Sequence, residues 1–88
     1  MESVPPQYTY VALYPNTVLR EGARGESVKI IQQYLTYINR SYPNIPAVSD
    51  TGYFGPLTKQ SVTAFQRQFG IDPTGRVGAV TWDRIAGV

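Results

Sequence analysis

Cysteine and histidine are both absent from this chain of 88 residues. Without cysteine there is no disulfide and no thiolate nucleophile. The absence of cysteine does not identify the cellular compartment, because it is compatible both with a reduced cytosol and with a wall-facing bacterial surface. Without histidine there is no imidazole base, which removes histidine-activated nucleophiles and histidine-containing zinc sites. Metal or acid–base chemistry would have to rest on carboxylates alone.

Charge and long apolar runs are also scarce. Eight Lys and Arg residues stand against six Asp and Glu, and the net charge of +2 is scattered, whereas nucleic-acid and acidic-membrane partners usually require grouped charge. No stretch approaches the roughly 18 apolar residues of a membrane span, and residues 1–10 lack the basic and apolar regions of a signal peptide. We expect one small domain, which would be a piece of a longer chain if it acts outside a cell.

The carboxylates do not suggest a catalytic pair. A glycosidase needs two carboxyl groups that face each other across a cleft, but Glu26 stands at a predicted helix start, and Asp50 and Asp72 lie in predicted turns. Lys59 and Ser61 are two residues apart on a predicted helix and therefore do not face each other. We expect no catalysis, no metal and no other cofactor.

One phrase recurs along the chain. Gly-x-x-Gly-x-x-(Val/Thr) stands at 22–28, 52–58 and 75–81. Apolar residues at intervals of three and four follow each copy, which predicts a helix behind each. The first helix is predicted from Glu26 to about Arg40, and the third is cut short by the chain end. The sequence therefore predicts an all-α three-helix bundle with little or no sheet.

The glycines of these phrases have two predicted roles. Three are predicted to cap the helices at their N-termini: Gly25, Gly55 and Gly78. Pro56 follows at the first helical position, where its missing N–H costs nothing. Gly52 and Gly75 are predicted to adopt positive φ in tight turns, and Phe54 and Val77, at matching places, are predicted to insert beneath the incoming helices.

Residues 1–19 are predicted to form an extended N-terminal arm or linker, and residues 20–88 the three-helix domain. Prolines at positions 5, 6 and 15 remove backbone donors and favour extended conformations in the residues before them. The arm also carries tyrosines, which could cover part of the first helix.

Residues 22–86 resemble a known family. The chain reads LREGARGESVKIIQQYL, then DTGYFGPLTKQSVTAFQRQFG, then IDPTGRVGAVTWDRI. These stretches are similar to the bacterial peptidoglycan-binding module of the three-helix type, with its leading Gly-x-x-Gly-x-x-Val, its Asp-Gly-x-Phe-Gly-x-x-Thr centre and its closing Asp-Gly-x-Val-Gly-x-x-Thr-Trp. The resemblance runs through all three helices in order.

The resemblance implies both a fold and a function. The fold would be similar to the propeptide domain of matrix metalloproteinases. The function would be non-catalytic binding of peptidoglycan glycan or stem peptide, which targets an attached wall-remodelling or lytic enzyme. It implies a monomer in the cell wall or outside the cell, with a spore or phage context open, and no nucleic-acid or membrane partner. Where the family commonly has Asp before each turn glycine, this chain has Thr51 and Thr74.

Peptidoglycan offers sugar faces, amides and stem-peptide carboxylates, which suit aromatic, amide and cationic side chains respectively. The candidate ligand-binding residues on this basis are Tyr34, Tyr37, Asp50, Tyr53, Gln66, Arg67, Arg76 and Trp82. Tyr34 and Tyr37 fall on a second stripe of the first helix, away from the core stripe that contains Val28 and Leu35. There they could line a groove or be covered by the arm. Tyr53 and Arg76 occupy equivalent places in the two later turns and are predicted to point away from the core.

Several of these candidates also have plain structural explanations. Trp82 is predicted to lie mostly in the core, and Gln66 to bond a neighbouring backbone. Arg67 would stand on the outer face of the second helix, where a solvated charge is the usual state.

Two other functions stay open. The helices could dock on a catalytic domain of the parent chain, as a protein-interaction or propeptide-like module. A small DNA-binding helical domain is the other alternative, but the low net charge and the absence of a basic helix argue against it.

Overall fold

The computed structural model describes residues 13–88, which contain three helices. They are α1 (Glu26–Ile38), α2 (Pro56–Gln68) and α3 (Ala79–Gly87). Within this part of the chain there is no strand, and extended pairing is confined to two isolated antiparallel bridges, Leu19 with Val77 and Arg24 with Tyr53. The predicted all-α three-helix fold is confirmed. None of these helices is long and apolar enough to span a bilayer.

Each helix begins directly after a glycine, as predicted. The N-cap positions are held by Gly25, Gly55 and Gly78. Pro56 occupies the first turn of α2, where its missing N–H is tolerated. Glu26 occupies the first turn of α1, where the helix dipole favours a negative charge. Helix α1 ends at Ile38, slightly before the predicted Arg40. The Asn39 side chain then donates a hydrogen bond to the Ile45 carbonyl at 2.8 Å, which folds the following loop back.

The core lies between the helices and the two later turns. Its buried apolar residues in the described chain are Leu19, Val28, Ile31, Tyr34, Leu35, Ile38, Ile45, Phe54, Val62, Phe65, Val77, Trp82 and Ile85. Val28, Ile31, Leu35 and Ile38, which continue from the first copy of the phrase at intervals of three, four and three residues, are all buried on one side of α1, as the apolar spacing predicted. Trp82 is 1% exposed, as expected. Full burial of one such side chain stabilises the fold by roughly 1.5–3 kcal/mol.

The repeated turns have the geometry that the glycines predicted. Gly52 and Gly75 adopt φ of 80° and 76°, which is accessible to glycine without a Cβ penalty. Phe54 and Val77 follow them, and both side chains are 0% exposed. The two copies of the phrase therefore place an apolar anchor under a helix start by the same backbone path.

The segment before α1 belongs to the fold. Leu19 was assigned to the arm from the sequence, yet it is buried and exchanges two backbone hydrogen bonds with Val77, of 3.0 and 2.7 Å. Tyr14 packs edge-on against Trp82, with 5.9 Å between ring centroids. The prolines marked this segment as extended, but they carry no information about its partner. The first twelve residues of the predicted arm lie outside the described residues.

Candidate functional site

A groove runs along the C-terminal half of α1, beside the loop that leads to the turn at Gly52. This α1 groove has a volume of about 560 Å³ and is lined by Gln33, Thr36, Tyr37, Asn39, Arg40, Val48, Ser49 and Asp50. Positions 33, 36, 37 and 40 share one side of a helix, since three- and four-residue steps return to the same face. The groove thus joins one helix face to one loop.

Thr36 fixes the loop against the helix. Its hydroxyl donates a hydrogen bond to the Val48 carbonyl at 2.6 Å and accepts one from the Val48 N–H at 3.0 Å. The distance between the two walls of the groove is therefore set by direct bonds. Such a groove is formed before a ligand arrives, which reduces the ordering cost of binding.

Arg40 lies at one end of the α1 groove, and Tyr37 lies next to it. Tyr37 is half-buried and Arg40 is exposed. The guanidinium carbon of Arg40 lies 5.4 Å from the centroid of the Tyr37 ring, within the range of a cation–π contact. The guanidinium therefore lies over one face of the ring, so that the ring and the cation belong to the same contact surface.

Asp50 forms the other end of the groove. Its exposed carboxylate accepts a hydrogen bond from the Gln33 side-chain amide at 3.0 Å. This bond is the largest cause that lowers the pKa of Asp50 below its ordinary value of 3.8. Desolvation acts in the opposite direction, and the Asp50 backbone N–H and the charge of Lys29 lower the pKa further. The carboxylate is consequently ionised at neutral pH.

A second groove lies beside the start of α3. This α3 groove has a volume of about 390 Å³ and is lined by Val18, Gln66, Ile71, Asp72, Thr74, Arg76, Gly78, Ala79, Val80 and Thr81. Two of its aliphatic side chains are conspicuously open to solvent, Val18 at 51% and Val80 at 68% exposed. Arg76, one of the predicted contact residues, is exposed at its rim.

Gln66 and Trp82 are each only 1% exposed, which leaves them almost no surface for a ligand. The predicted role of Gln66 in bonding backbone is confirmed. Its amide nitrogen donates to the Arg76 carbonyl at 2.8 Å, and its oxygen accepts from the Gly75 N–H at 2.9 Å. Both residues build the scaffold of the site.

The remaining predicted contact residues lie apart from one another. Tyr34 is 8% exposed and belongs to the core, because α1 is covered on two sides and the second stripe is not a free face. Tyr53 is 40% exposed and lies beneath Arg24, whose guanidinium carbon is 4.5 Å from the ring centroid. Arg67 is exposed on α2, outside both grooves. Of the predicted contact residues, the α1 groove brings together only Tyr37 and Asp50.

Thr51 and Thr74 take over the turn function of the aspartate that the family commonly has there. The Thr51 hydroxyl accepts a hydrogen bond from the Tyr53 N–H, and the Thr74 hydroxyl from the Arg76 N–H, each at 3.1 Å. The threonine oxygens therefore close both turns without a charge.

Sequence reasoning missed Gln32, Thr36 and Arg40. A signal for Gln32 was present, since it lies four residues after Val28 on a buried face, as Gln66 lies four residues after Val62. A polar residue at a core position indicates a buried hydrogen-bonding duty. Thr36 and Arg40 gave no such signal, because their roles depend on where the loop returns.

Residues 13–88 contain no group of three or more acidic, His or Cys side chains placed to hold a metal.

Residues 24–85 match the peptidoglycan binding domain family. An uncharacterized protein of Kitasatospora aureofaciens is 38% identical over 68 residues, which are 77% of this chain and 54% of that protein. The zinc D-Ala-D-Ala carboxypeptidase of Streptomyces albus G is 35% identical over 68 residues, 76% of this chain and 25% of the enzyme. The chain thus spans about half and about a quarter of these two relatives.

Solved structures show the same fold. The SleB N-terminal domain superposes with a TM-score of 0.72 at 29% identity, over 85% of this chain and 96% of that one. A peptidoglycan-binding protein from Clostridioides difficile, in complex with glutamine hydroxamate, superposes with a TM-score of 0.73 at 30% identity, over 88% of this chain and 45% of that one. The chain therefore belongs to the peptidoglycan binding domain family, a family of binding modules and not of enzymes.

Proposed function

We propose that this domain binds cell-wall peptidoglycan through the α1 groove and holds an attached wall-remodelling enzyme on its substrate. The observation that carries the proposal is the groove itself, which joins a ring, hydroxyl and amide groups and two opposite charges on one pre-formed surface. A few polar groups around an apolar contact are typical of small-ligand sites.

The chemistry of the groove suits an amide-rich saccharide polymer. The half-buried ring of Tyr37 gives a flat apolar face for a sugar or an alanine methyl. The Ser49 hydroxyl and the side-chain oxygen of Asn39, which line the same groove, supply groups that bond amides. Tyr53 and Arg76, exposed on the two equivalent turns, extend the proposed contact surface beyond the groove.

Targeting follows from tethering. A module that binds an immobile polymer raises the local concentration of whatever is attached to it, even when its own affinity is modest. The carboxypeptidase relative, of which the matching segment is 25%, is an enzyme that carries such a segment. We infer a monomer that works in the cell wall or the spore, and the match to the SleB N-terminal domain supports that setting.

A pulldown with insoluble peptidoglycan sacculi tests the proposal. The domain is expected to co-sediment at physiological and at high salt and to be released by mild lysozyme digestion of the wall. Tyr37→Ala is expected to lower the association constant about fivefold, equivalent to about 1 kcal/mol. The matched control is Tyr42→Ala, another half-buried tyrosine, which packs on Phe69 outside both grooves. Equal binding by the two variants would reject the groove as the site.

A second candidate function is docking on a catalytic domain of the parent chain. The exposed aliphatic residues Val18 and Val80 in the α3 groove favour it, because solvent-exposed aliphatic side chains grouped in a groove suit a protein contact. Absence of sacculus binding by the wild-type domain, together with binding to the purified partner domain that Val80→Ser abolishes, would establish this function instead.

A further inference from the structure

The α1 groove carries opposite charges at its two ends. Arg40 follows Gln33 by seven residues, which corresponds to about 10 Å at the helical rise of 1.5 Å per residue. Helical geometry continues to this point, since Asn39 has α-helical dihedrals and the Arg40 N–H bonds the Tyr37 carbonyl at 3.1 Å. Asp50 lies beside Gln33, at 3.0 Å from its amide. The helix position that carries Arg40 and the one that holds Asp50 are therefore roughly 10 Å apart along the groove.

Within residues 13–88, neither Arg40 nor Asp50 forms an ion pair. The ion pair found there joins Lys59 to Glu21, at 4.0 Å. Arg40 contacts the ring of Tyr37, and Asp50 accepts from a neutral amide. Both side chains are also exposed at their ends. Two oriented charges of opposite sign are thus available to a ligand.

We propose that the α1 groove recognises the peptide part of peptidoglycan, with a peptide carboxylate at Arg40 and a peptide amine at Asp50. This inference rests on the proposed function. An extended peptide advances about 3.3 Å per residue, so that the spacing of these two helix positions corresponds to about three residues. A peptide with a lysine two residues before its C-terminal carboxylate carries both groups, and the lysine side chain supplies the remaining reach, whereas an uncharged N-acetylated glycan carries neither.

The middle of the groove fits the same ligand. On the helix, Tyr37 comes three residues before Arg40 and four after Gln33, and Val48 lines the same groove from the loop. These two apolar side chains suit the small methyl groups of alanine residues. The arrangement places an apolar contact between two charge-assisted bonds, which fixes the direction in which the peptide lies.

Titration of the labelled domain with defined soluble probes, followed by NMR, tests this assignment. The probes are a synthetic stem-type pentapeptide with lysine at its third position, the same peptide acetylated at that lysine, the same peptide amidated at its C-terminus, and chitotetraose as the neutral glycan. We expect the pentapeptide to shift the backbone signals of residues 33–40 and 48–50. Acetylation or amidation is expected to weaken binding about tenfold, the usual scale for a charged hydrogen bond.

Two isosteric variants assign each end. Asp50→Asn is expected to bind the free and the acetylated peptide equally weakly, and Arg40→Gln to bind the acid and the amide equally weakly. The matched controls are Asp83→Asn, an exposed carboxylate on α3, and Arg84→Gln, whose guanidinium carbon lies 5.5 Å from the Phe69 ring centroid outside both grooves. Both controls should retain the full tenfold discrimination.

The result that overturns the inference is distinct from failure of the proposed function. If chitotetraose shifts the groove signals and the pentapeptide does not, the groove binds the glycan and not the peptide. The proposed binding to sacculi is unaffected by that result. If acetylation weakens Asp50→Asn as much as the wild type, the amine is not held at Asp50. If the wild-type domain fails to bind sacculi at all, the proposed function falls and the peptide inference with it.

Discussion

Gln32 and Gln66 hold two different turns by the same set of hydrogen bonds. The side-chain oxygen of Gln32 accepts from the Gly52 N–H, and that of Gln66 from the Gly75 N–H, both at 2.9 Å. Each amide nitrogen then donates to the backbone carbonyl of the residue after the glycine and to a buried threonine hydroxyl on the helix that follows. In both copies of the repeated phrase, a buried glutamine on the preceding helix thus holds the turn by hydrogen bonds.

Replacing either glutamine should destabilise the domain. Gln66→Leu leaves the buried Gly75 N–H without its acceptor, and an unsatisfied buried group costs about 1–3 kcal/mol. We expect a loss of about 2–3 kcal/mol of unfolding free energy, and a similar loss for Gln32→Leu. Urea denaturation followed by tryptophan fluorescence measures it, because Trp82 is the single tryptophan and is buried.

The control for these variants is Gln60→Leu, an exposed position on α2. It should change the unfolding free energy by less than about 0.5 kcal/mol. A loss of that small size in both Gln32→Leu and Gln66→Leu would show that water satisfies the turns as well as the glutamines do.

Gly75→Ala tests the second turn by adding a single methyl group. Gly75 has φ of 76°, and a Cβ there would approach Lys59 Cγ to 2.9 Å and Thr63 Oγ1 to 3.1 Å. Left-handed backbone costs a non-glycine residue about 1–2 kcal/mol, and the contact with Lys59 adds to it. We expect Gly75→Ala to lose about 2 kcal/mol or more in urea denaturation.

Two further glycines separate strain from crowding. Gly70 has φ of 72° but nothing within 4 Å of a Cβ, so Gly70→Ala should show the backbone cost alone. Gly87 lies in α3, also with open space, and Gly87→Ala should be neutral or slightly stabilising, by up to about 1 kcal/mol. Equal losses at Gly70 and Gly75 would mean that Lys59 moves aside freely.

The helices and their glycine entries could be predicted because the information is local. Gly55 and Pro56 mark a helix start by their own backbone chemistry, and apolar spacing identifies the core face of α1 without reference to a partner. The phrase that precedes α2 and α3 predicted the turns at Gly52 and Gly75 for the same reason.

The site was less predictable because it depends on contacts between residues distant in sequence. Thr36 bonds Val48 across the groove, and Asp50 returns to Gln33. No rule of residue spacing predicts such pairs, since the loop of residues 41–50 has no periodic pattern. The contact of Leu19, at the end of the predicted arm, could not be predicted for a similar reason, because its partner, Val77, belongs to the last turn of the fold.

The two equivalent turns predict an additive contribution to wall binding. Tyr53 and Arg76 are both exposed at matching places, so a repeating polymer can contact both. The combined Tyr53→Ala and Arg76→Ala variant should lower the association constant for sacculi by about tenfold, with each single change contributing part. The paired control is Leu57→Ala with Asp83→Ala, two exposed positions on α2 and α3. Unchanged binding by the Tyr53 and Arg76 double variant would restrict the contact surface to the α1 groove.

The last prediction concerns the pH dependence of Asp50. Since the Gln33 hydrogen bond is the largest cause of its lowered pKa, Gln33→Ala should raise the pKa of Asp50 toward the ordinary value of 3.8. An NMR titration of the side-chain carboxyl measures both values.

The sign of the linked stability follows from the direction of the shift. Because the pKa of Asp50 is lower in the folded than in the unfolded chain, the Gln33 bond stabilises the fold above the unfolded value of 3.8, and this contribution is lost as the pH falls through the folded pKa. The difference in unfolding free energy between wild type and Gln33→Ala should therefore be constant from about pH 7 to about pH 5 and shrink in more acidic solution. A difference that grows on acidification would mean that Gln33 stabilises the protonated carboxyl. Asp50 would then not be the fixed anion that the amine-binding end of the groove requires.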